Sequence, residues 1–202
     1  MKPLLMIHEF TEHMLKLPLA DYTLTFDDGL YGQYWYWREH LKDIPTKKYF
    51  FVSTGIICPD NGWQDDHFYS SPKAHAKARA GDFSNYVTRD QIRELAQDPW
   101  VVIGAHGHSH TPLTEFDSFA DKVAHIKQDT ETCLAWFENN LGFKPTAFCF
   151  PYNDDLQGVY SAMVKRYGFT ELFGLGRTPV EKLLYERGLP ETLYTPDIAA
   201  LS

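Results

Sequence analysis

The feature that most constrains this chain is its regular alternation of short apolar runs with helix-length segments. Leu4 to Ile7 is apolar, and Tyr22 to Phe26 is β-branched and aromatic and stops at Asp27-Asp28-Gly29. Leu30 to Leu41 then has helical character, with Pro45 beyond its end. Lys48 to Ser53 is a strand, Arg89 to Gln97 a helix capped by Thr88, and Trp100 to Ala105 a strand that stops at His106. Ser118 caps a long helix. Its apolar positions Phe119, Val123, Ile126, Leu134, Phe137 and Leu141 recur at helical spacing, and Gly142 stops it. Thr146 to Phe150, Val159 to Tyr167 and Phe169 to Phe173 continue the pattern as strand, helix and strand. Such an order implies a mainly parallel sheet covered on both faces. Six candidate strands suit either an open doubly wound sheet or a small, irregular β/α barrel. In either architecture the chemistry collects at the carboxyl ends of the strands.

Two stretches break the alternation. Residues 57–87 are rich in Gly, Ser, Pro, Asp and Asn and carry no clean period, which predicts a long insertion acting as a lid. The tail after Gly174 is also irregular, with Pro179, Pro190 and Pro196. At 202 residues the chain suits one domain spanning 1–202, large enough to bury a core without disulfides. The net charge of −8, with no basic run, argues against nucleic acid or anionic membrane as a partner. Cys58, Cys133 and Cys149, an odd and widely spaced set, do not read as a disulfide framework and form no CxxC metal pattern. The apolar run near the N-terminus is too short for a signal peptide or membrane span. These features predict a reducing, cytoplasmic setting.

Three polar clusters follow predicted strands. Thr25-Phe26-Asp27-Asp28-Gly29 crowds two carboxylates, a costly arrangement unless a cation lies beside them. Taken alone, it also reads as an Asp-Gly turn with a helix cap. His106-Gly107-His108-Ser109-His110 places two imidazoles at His-x-x-x-His spacing. With Asp28 the set becomes two histidines and one carboxylate, suited to zinc or another late transition metal with positions left open. Phe148-Cys149-Phe150-Pro151-Tyr152-Asn153 is by itself a strand ending at a proline.

In this order, the three clusters resemble the motifs of the polysaccharide deacetylase family, the NodB-homology or family-4 carbohydrate esterase domain. TFDDG matches its first motif, Ile103 to Leu113 its second, and FCFPYN is similar to its third. Lys48 to Ile57 resembles the strand after the family's first helix, and the likeness spans roughly residues 22–170. It implies a distorted (β/α) barrel holding one divalent metal ion, commonly zinc. By position, Asp28, His106 and His110 are the implied ligands and Asp27 the implied general base. The backbone N–H of Tyr152 becomes an oxyanion donor, and Pro151 and Tyr152 line the substrate position. The implied activity removes an acetyl group from an N-acetylated sugar or an envelope-polysaccharide precursor.

The chain departs from the family pattern twice. The arginine that usually pairs with the base falls at Cys149, and no histidine follows His125 to serve as the family's late general acid. That leaves either a deacetylase with a relocated acid or a metal-holding, carbohydrate-binding relative without turnover. A third reading, a two-histidine, one-carboxylate iron oxygenase, is disfavoured by the helix content. His8 follows the first apolar run, so a parallel sheet brings it to the same end as Asp27 and Asp28. An imidazole titrating near ~6.5 suits acid work there. The segment His8 to His13 lacks the second histidine position of a metalloprotease H-E-x-x-H. Trp63, in the insertion, is a candidate sugar-stacking side chain. His108 reads as packing, and His40, His67, His75 and His125 carry no spacing signal.

Overall fold

A computed structural model describes residues 2–189. Seven strands form one sheet: β1 (Leu4–Ile7), β2 (Thr23–Phe26), β3 (Lys48–Val52), β4 (Val101–Ala105), β5 (Ala147–Cys149), β6 (Glu171–Phe173) and β7 (Thr178–Pro179). Their order is β6-β5-β4-β3-β2-β1-β7, and every neighbouring pair is parallel. From β1 to β6 the strand order follows the chain order, so successive right-handed crossovers move the same way round and curl the sheet into a distorted, partly open barrel. Instead of β6 closing onto β1, the two-residue β7 takes the free edge of β1. This seventh strand lies in the tail that the sequence reads as irregular; it is too short to carry a period of its own.

β3 shows why a barrel forms. All five of its residues are buried, and the four after Lys48 alternate between two apolar clusters. Phe50 and Val52 join the large cluster with the helices, where Phe50 stacks on Phe26 with ring centroids 4.5 Å apart. Tyr49 and Phe51 face the other way and pack with Cys149 and Phe173. The period-two alternation of a strand thus serves two cores at once.

The helices are α1 (Tyr31–Tyr36), α2 (Ser71–Arg79), α3 (Arg89–Leu95), α4 (Phe119–Leu141), α5 (Val159–Arg166) and α6 (Val180–Glu186). α1 continues into a wider π turn over Trp37–Leu41, which together match the expected helix. In α4 the Ser118 side chain accepts from the Asp121 N–H, and Gly142 ends the helix with φ 77°. α2 corrects the expectation of a structureless insertion. Its Ala74 and Ala78 are four residues apart and both buried, a short apolar stripe that the Ser and Pro residues around it obscure. α6 likewise corrects the irregular tail, of which Pro190 and Pro196 lie outside the described residues. Among those residues no helix is long and apolar enough to cross a membrane.

Candidate active site

The carboxyl ends of β1, β2, β4 and β5 open into a cavity of about 310 Å³ lined by His8, Asp27, Asp28, His106, His110, Phe150, Tyr152 and Asn153. The insertion supplies the rest of the wall through Ser71, Pro72, His75 and Arg79 of α2. Among the described residues six non-glycine positions have positive φ, and four of them, Asp28, His110, Tyr152 and Asn153, line this cavity. Each costs roughly 1–3 kcal/mol and persists only where its surroundings enforce it. The strain is therefore concentrated where the strands hand over to the cavity.

Asp28 is the centre of the donor set. Its Oδ1 lies 3.3 Å from His106 Nε2 and 3.1 Å from His110 Nε2. His106 Nδ1 is 2.8 Å from the Cys149 carbonyl, which can only accept. Nδ1 must therefore carry the proton, and in the neutral ring Nε2 turns a lone pair toward the carboxylate. Two buried acceptors facing each other require a positive charge between them. Burial opposes charging His106, but Cys149, Asp28 and Asp27 around it outweigh burial and hold it well above the ordinary imidazole range. Burial instead pushes His110 down to about 4, keeping it neutral and available as a donor atom. Asp28 stays well below the usual carboxylate range, because His75, His106 and His110 overcome the burial that would raise it. A carboxylate and two imidazoles around one point fit a divalent cation of the zinc type.

Asp27, the adjacent residue, has quite different company. Arg177 grips it with both arms, Nη1 to Oδ1 at 2.6 Å and Nη2 to Oδ2 at 2.7 Å. The same guanidinium donates to Thr25 Oγ1, Asn153 Oδ1 and the Gly174 carbonyl, so it is fixed in place. Burial would raise the Asp27 pKa, yet Arg177 prevails and the carboxyl lies below its usual range. Cys149 does not pair with Asp27 as an arginine would. Its thiol lies 3.6 Å from Asp27 Oδ2 and 3.1 Å from Arg177 Nη2. Two groups cluster closely enough to hold a metal ion, Asp28 with His75 and His110, and Asp27 with His106 and Cys149. The guanidinium already on Asp27 would repel a second cation there, which favours the Asp28 side for a cation.

The loop carrying the histidines is held from below. Asp129 of α4 accepts from the N–H groups of His108 and Ser109 at 2.7 and 2.8 Å and from Ser109 Oγ at 2.7 Å. Gly107 has φ 74°, and a Cβ there would lie 2.6 Å from Asp129 Oδ2, so no larger residue fits. His108 turns away from the cavity and bonds Thr54 Oγ1, in keeping with a packing role. Gln33 of α1 donates to the carbonyls of both His8 and Asp27, tying the ends of β1 and β2 together. His8 Nε2 comes within 3.8 Å of Asp27 Oδ2, and its side chain is 33% exposed toward the cavity.

The structure thus brings together Asp27, Asp28, His106, His110, His8 and Tyr152. Tyr152 is half exposed over His110, with ring centroids 4.8 Å apart. Pro151 is buried and does not line the cavity. Trp63 is 71% exposed and is likewise absent from the lining, because the insertion presents α2 to the cavity and leaves the Trp63 ring in solvent.

Arg177, His75, Ser71 and Asp129 escape the sequence reading. Only Asp129 carries a signal: it falls three residues after Ile126 and four before Cys133, on the buried stripe of α4, where an acidic residue needs a partner.

A model of the polysaccharide deacetylase family matches residues 18–172. Among solved structures the chain is similar to IcaB from Ammonifex degensii, at 18% identity and a TM-score of 0.60, covering 98% of this chain and 95% of that one. A de-N-acetylase from Aggregatibacter actinomycetemcomitans matches at 19% identity and a TM-score of 0.58, covering 84% and 70%. The BpsB deacetylase domain from Bordetella bronchiseptica matches at 15% identity and a TM-score of 0.58, covering 88% and 94%. At these identities the likeness is one of fold. No curated protein sequence matches the chain significantly. His8 and Arg177 lie outside the matched segment, whereas Asp27, Asp28, His106, His110 and Tyr152 lie within it. With the matched segment spanning most of its length and its barrel built in the same way, the chain belongs to the polysaccharide deacetylase family.

Proposed function

We propose that this chain hydrolyses the acetamido C–N bond of an N-acetylated sugar, in a polysaccharide or its precursor, with the help of one divalent metal ion. The observation that carries the proposal is the division of labour between adjacent carboxylates, one facing two imidazoles and the other gripped by an arginine. Asp28, His106 and His110 would hold the cation, and zinc suits their nitrogen and oxygen donors. When bound, it supplies a Lewis acid that makes water nucleophilic near neutral pH.

The chain's own groups supply the proton traffic. Asp27 takes the proton of the attacking water, and Arg177 keeps Asp27 ionised and oriented for it. The backbone N–H of Tyr152 donates to the oxygen that gains charge as the acetyl carbonyl is attacked. His8, near Asp27, gives a proton to the departing sugar amine. The products are acetate and a free amine. Arg177 supplies the arginine that the third motif lacks, so the non-catalytic alternative now rests on the missing late histidine alone. A cytoplasmic site of action belongs to the same proposal and is supported by three buried, unpaired cysteines.

The test is acetate release from a panel of N-acetylated mono-, oligo- and polysaccharides, with metal content measured on each variant. Asp27→Asn is expected to keep metal and lose about 10²-fold or more in turnover. Asp28→Asn, His106→Ala and His110→Ala are expected to lose metal. His8→Ala should keep metal and slow turnover. Full metal occupancy in both histidine variants would discard the ligand set. No acetate from any substrate would favour a binding role.

A further inference from the structure

The two oxygens of Asp28 look in opposite chemical directions. Oδ1 faces His106 and His110, where the proposed function places the cation. Oδ2 faces α2 of the insertion. Ser71 Oγ donates to it at 2.5 Å, and His75 Nε2 lies 3.1 Å away. An ionised carboxylate only accepts hydrogen bonds, so Nε2 of His75 must carry a proton. In a neutral ring Nδ1 then holds a lone pair, and the Tyr86 hydroxyl, 2.9 Å away, donates into it. Tyr86 is buried at the end of the insertion. The result is a chain of donors, Tyr86 to His75 to Asp28, with every polar atom along it satisfied. His106 spends its Nδ1 proton on the Cys149 carbonyl, so its Nε2 is the atom that faces Oδ1. His75 is thus placed to orient the ligand carboxylate, in the manner of the outer hydrogen bonds that fix metal-ligating groups.

The insertion is anchored at the same point from a second side. Glu9, just past the end of β1, accepts the Ser71 N–H at 2.6 Å. The first turn of α2 is therefore gripped by two carboxylates from the ends of the sheet strands, one of them Asp28. His75 also stacks on His110, with centroids 4.3 Å apart and planes 10° from parallel.

We propose that Ser71 and His75 are positioning residues for Asp28, and that through them docking of the 57–87 insertion and metal affinity are coupled. This rests on the reading of Asp28, His106 and His110 as the metal ligands. Coupling of this kind is reciprocal: whatever docking adds to metal affinity, metal adds to docking.

The experiment measures Zn²⁺ affinity by competition with a chromophoric chelator for the full chain and for Ser71→Ala, His75→Ala and His75→Gln. Tryptic cleavage at Lys73, Lys77 and Arg79 is followed in parallel, with and without Zn²⁺. His75→Ala is expected to weaken Zn²⁺ binding about 10–100-fold. His75→Gln keeps an N–H donor and is expected to recover most of that loss. Ser71→Ala, a change small enough to leave the fold intact, should weaken binding by a few-fold. Zn²⁺ should slow cleavage of α2 in the wild type and much less so in His75→Ala. Unchanged affinity in both Ser71→Ala and His75→Ala would overturn the coupling alone. A His75→Gln variant as weak as His75→Ala would also overturn it, by making His75 a direct ligand. A wild type that binds no Zn²⁺ would overturn the coupling together with the ligand set beneath it.

Discussion

Asp27 and Asp28 are adjacent in sequence, yet two different regions of the molecule serve them. The sheet and its closing loop serve Asp27: Thr25 on its own strand, Cys149 on β5 and Arg177 before β7 all converge on it or on its guanidinium partner. The insertion serves the outer oxygen of Asp28 through two side chains of a nine-residue helix. Thr25 and Cys149 inherit the rigidity of the parallel ladder, and Arg177 beside them is buried as well. Partners on the insertion are held by a few polar contacts and by a small apolar cluster of Leu30, Ala74, Ala78 and Tyr86, and such elements open locally at less cost than the main core. The comparison teaches that the surroundings of Asp27 are built into the framework of the sheet, while the outer oxygen of Asp28 is completed by a separate, short element.

The largest expected effect comes from breaking the framework side. Arg177→Ala leaves a buried carboxylate without its partner, and stability should fall by about 3–5 kcal/mol. The sign of the pH effect follows from the opposing influences on Asp27. Arg177 holds its pKa down, so the ion pair stabilises the fold above the ordinary carboxylate range and is lost as pH falls through the lowered value. Without Arg177, only His106 and His8 still oppose burial, so the pKa rises and the acidic limb of the pH–rate profile should move to higher pH. Thermal melts and a pH profile check both outcomes, and an unmoved acidic limb would detach Arg177 from Asp27.

A smaller effect is expected at the seam between the regions. Burial, partly offset by the Ser71 N–H, lifts the pKa of Glu9 from 4.5 to about 7. A raised acid favours the folded state below the ordinary value, and that stability is lost as pH rises through the folded value. Between pH 4.5 and 7 the chain should lose on the order of 3 kcal/mol through this group. Glu9→Gln should flatten that slope, which melting temperatures across the range would show.

The smallest effect is expected at Trp63, which is exposed and outside the cavity lining. Trp63→Ala should leave kcat and Zn²⁺ affinity unchanged and shift stability within about 0.5 kcal/mol. A KM change for long polymers but not for single sugars would show that this ring meets sugar units beyond the cavity.

The same division marks what a reader of the sequence can recover. β1 to β6, the long helix α4 with its Ser118 cap and Gly142 stop, and the residues Asp27, Asp28, His106 and His110 are all legible. Strand ends and caps write themselves in contiguous residues. Arg177 is not legible, because nothing local distinguishes it from other basic residues; its importance lies in a partner 150 positions away. His75 is hidden differently. Its helix is short and alanine-rich, its apolar stripe only two residues long, and its partners Asp28 and Tyr86 lie outside that helix. The π turn over Trp37–Leu41 and the two-residue β7 are set by packing and register, for which no sequence period exists.

The Arg177–Asp27 pair also bears on the order in which the molecule can become active during synthesis. Asp27 emerges early, on the second strand, but its counter-charge is held by a loop just before the last one. Until β7 has docked against β1, the carboxylate has no guanidinium, and enclosing it would cost several kcal/mol. The growing chain therefore has a reason to leave this end of the barrel wet and open while β1 to β5 assemble. Final burial of Asp27 then coincides with arrival of residues 177–179. This contact across 150 positions marks completion of the barrel end: a chain interrupted before it could hold most of the sheet, yet would lack the charge that pairs with Asp27.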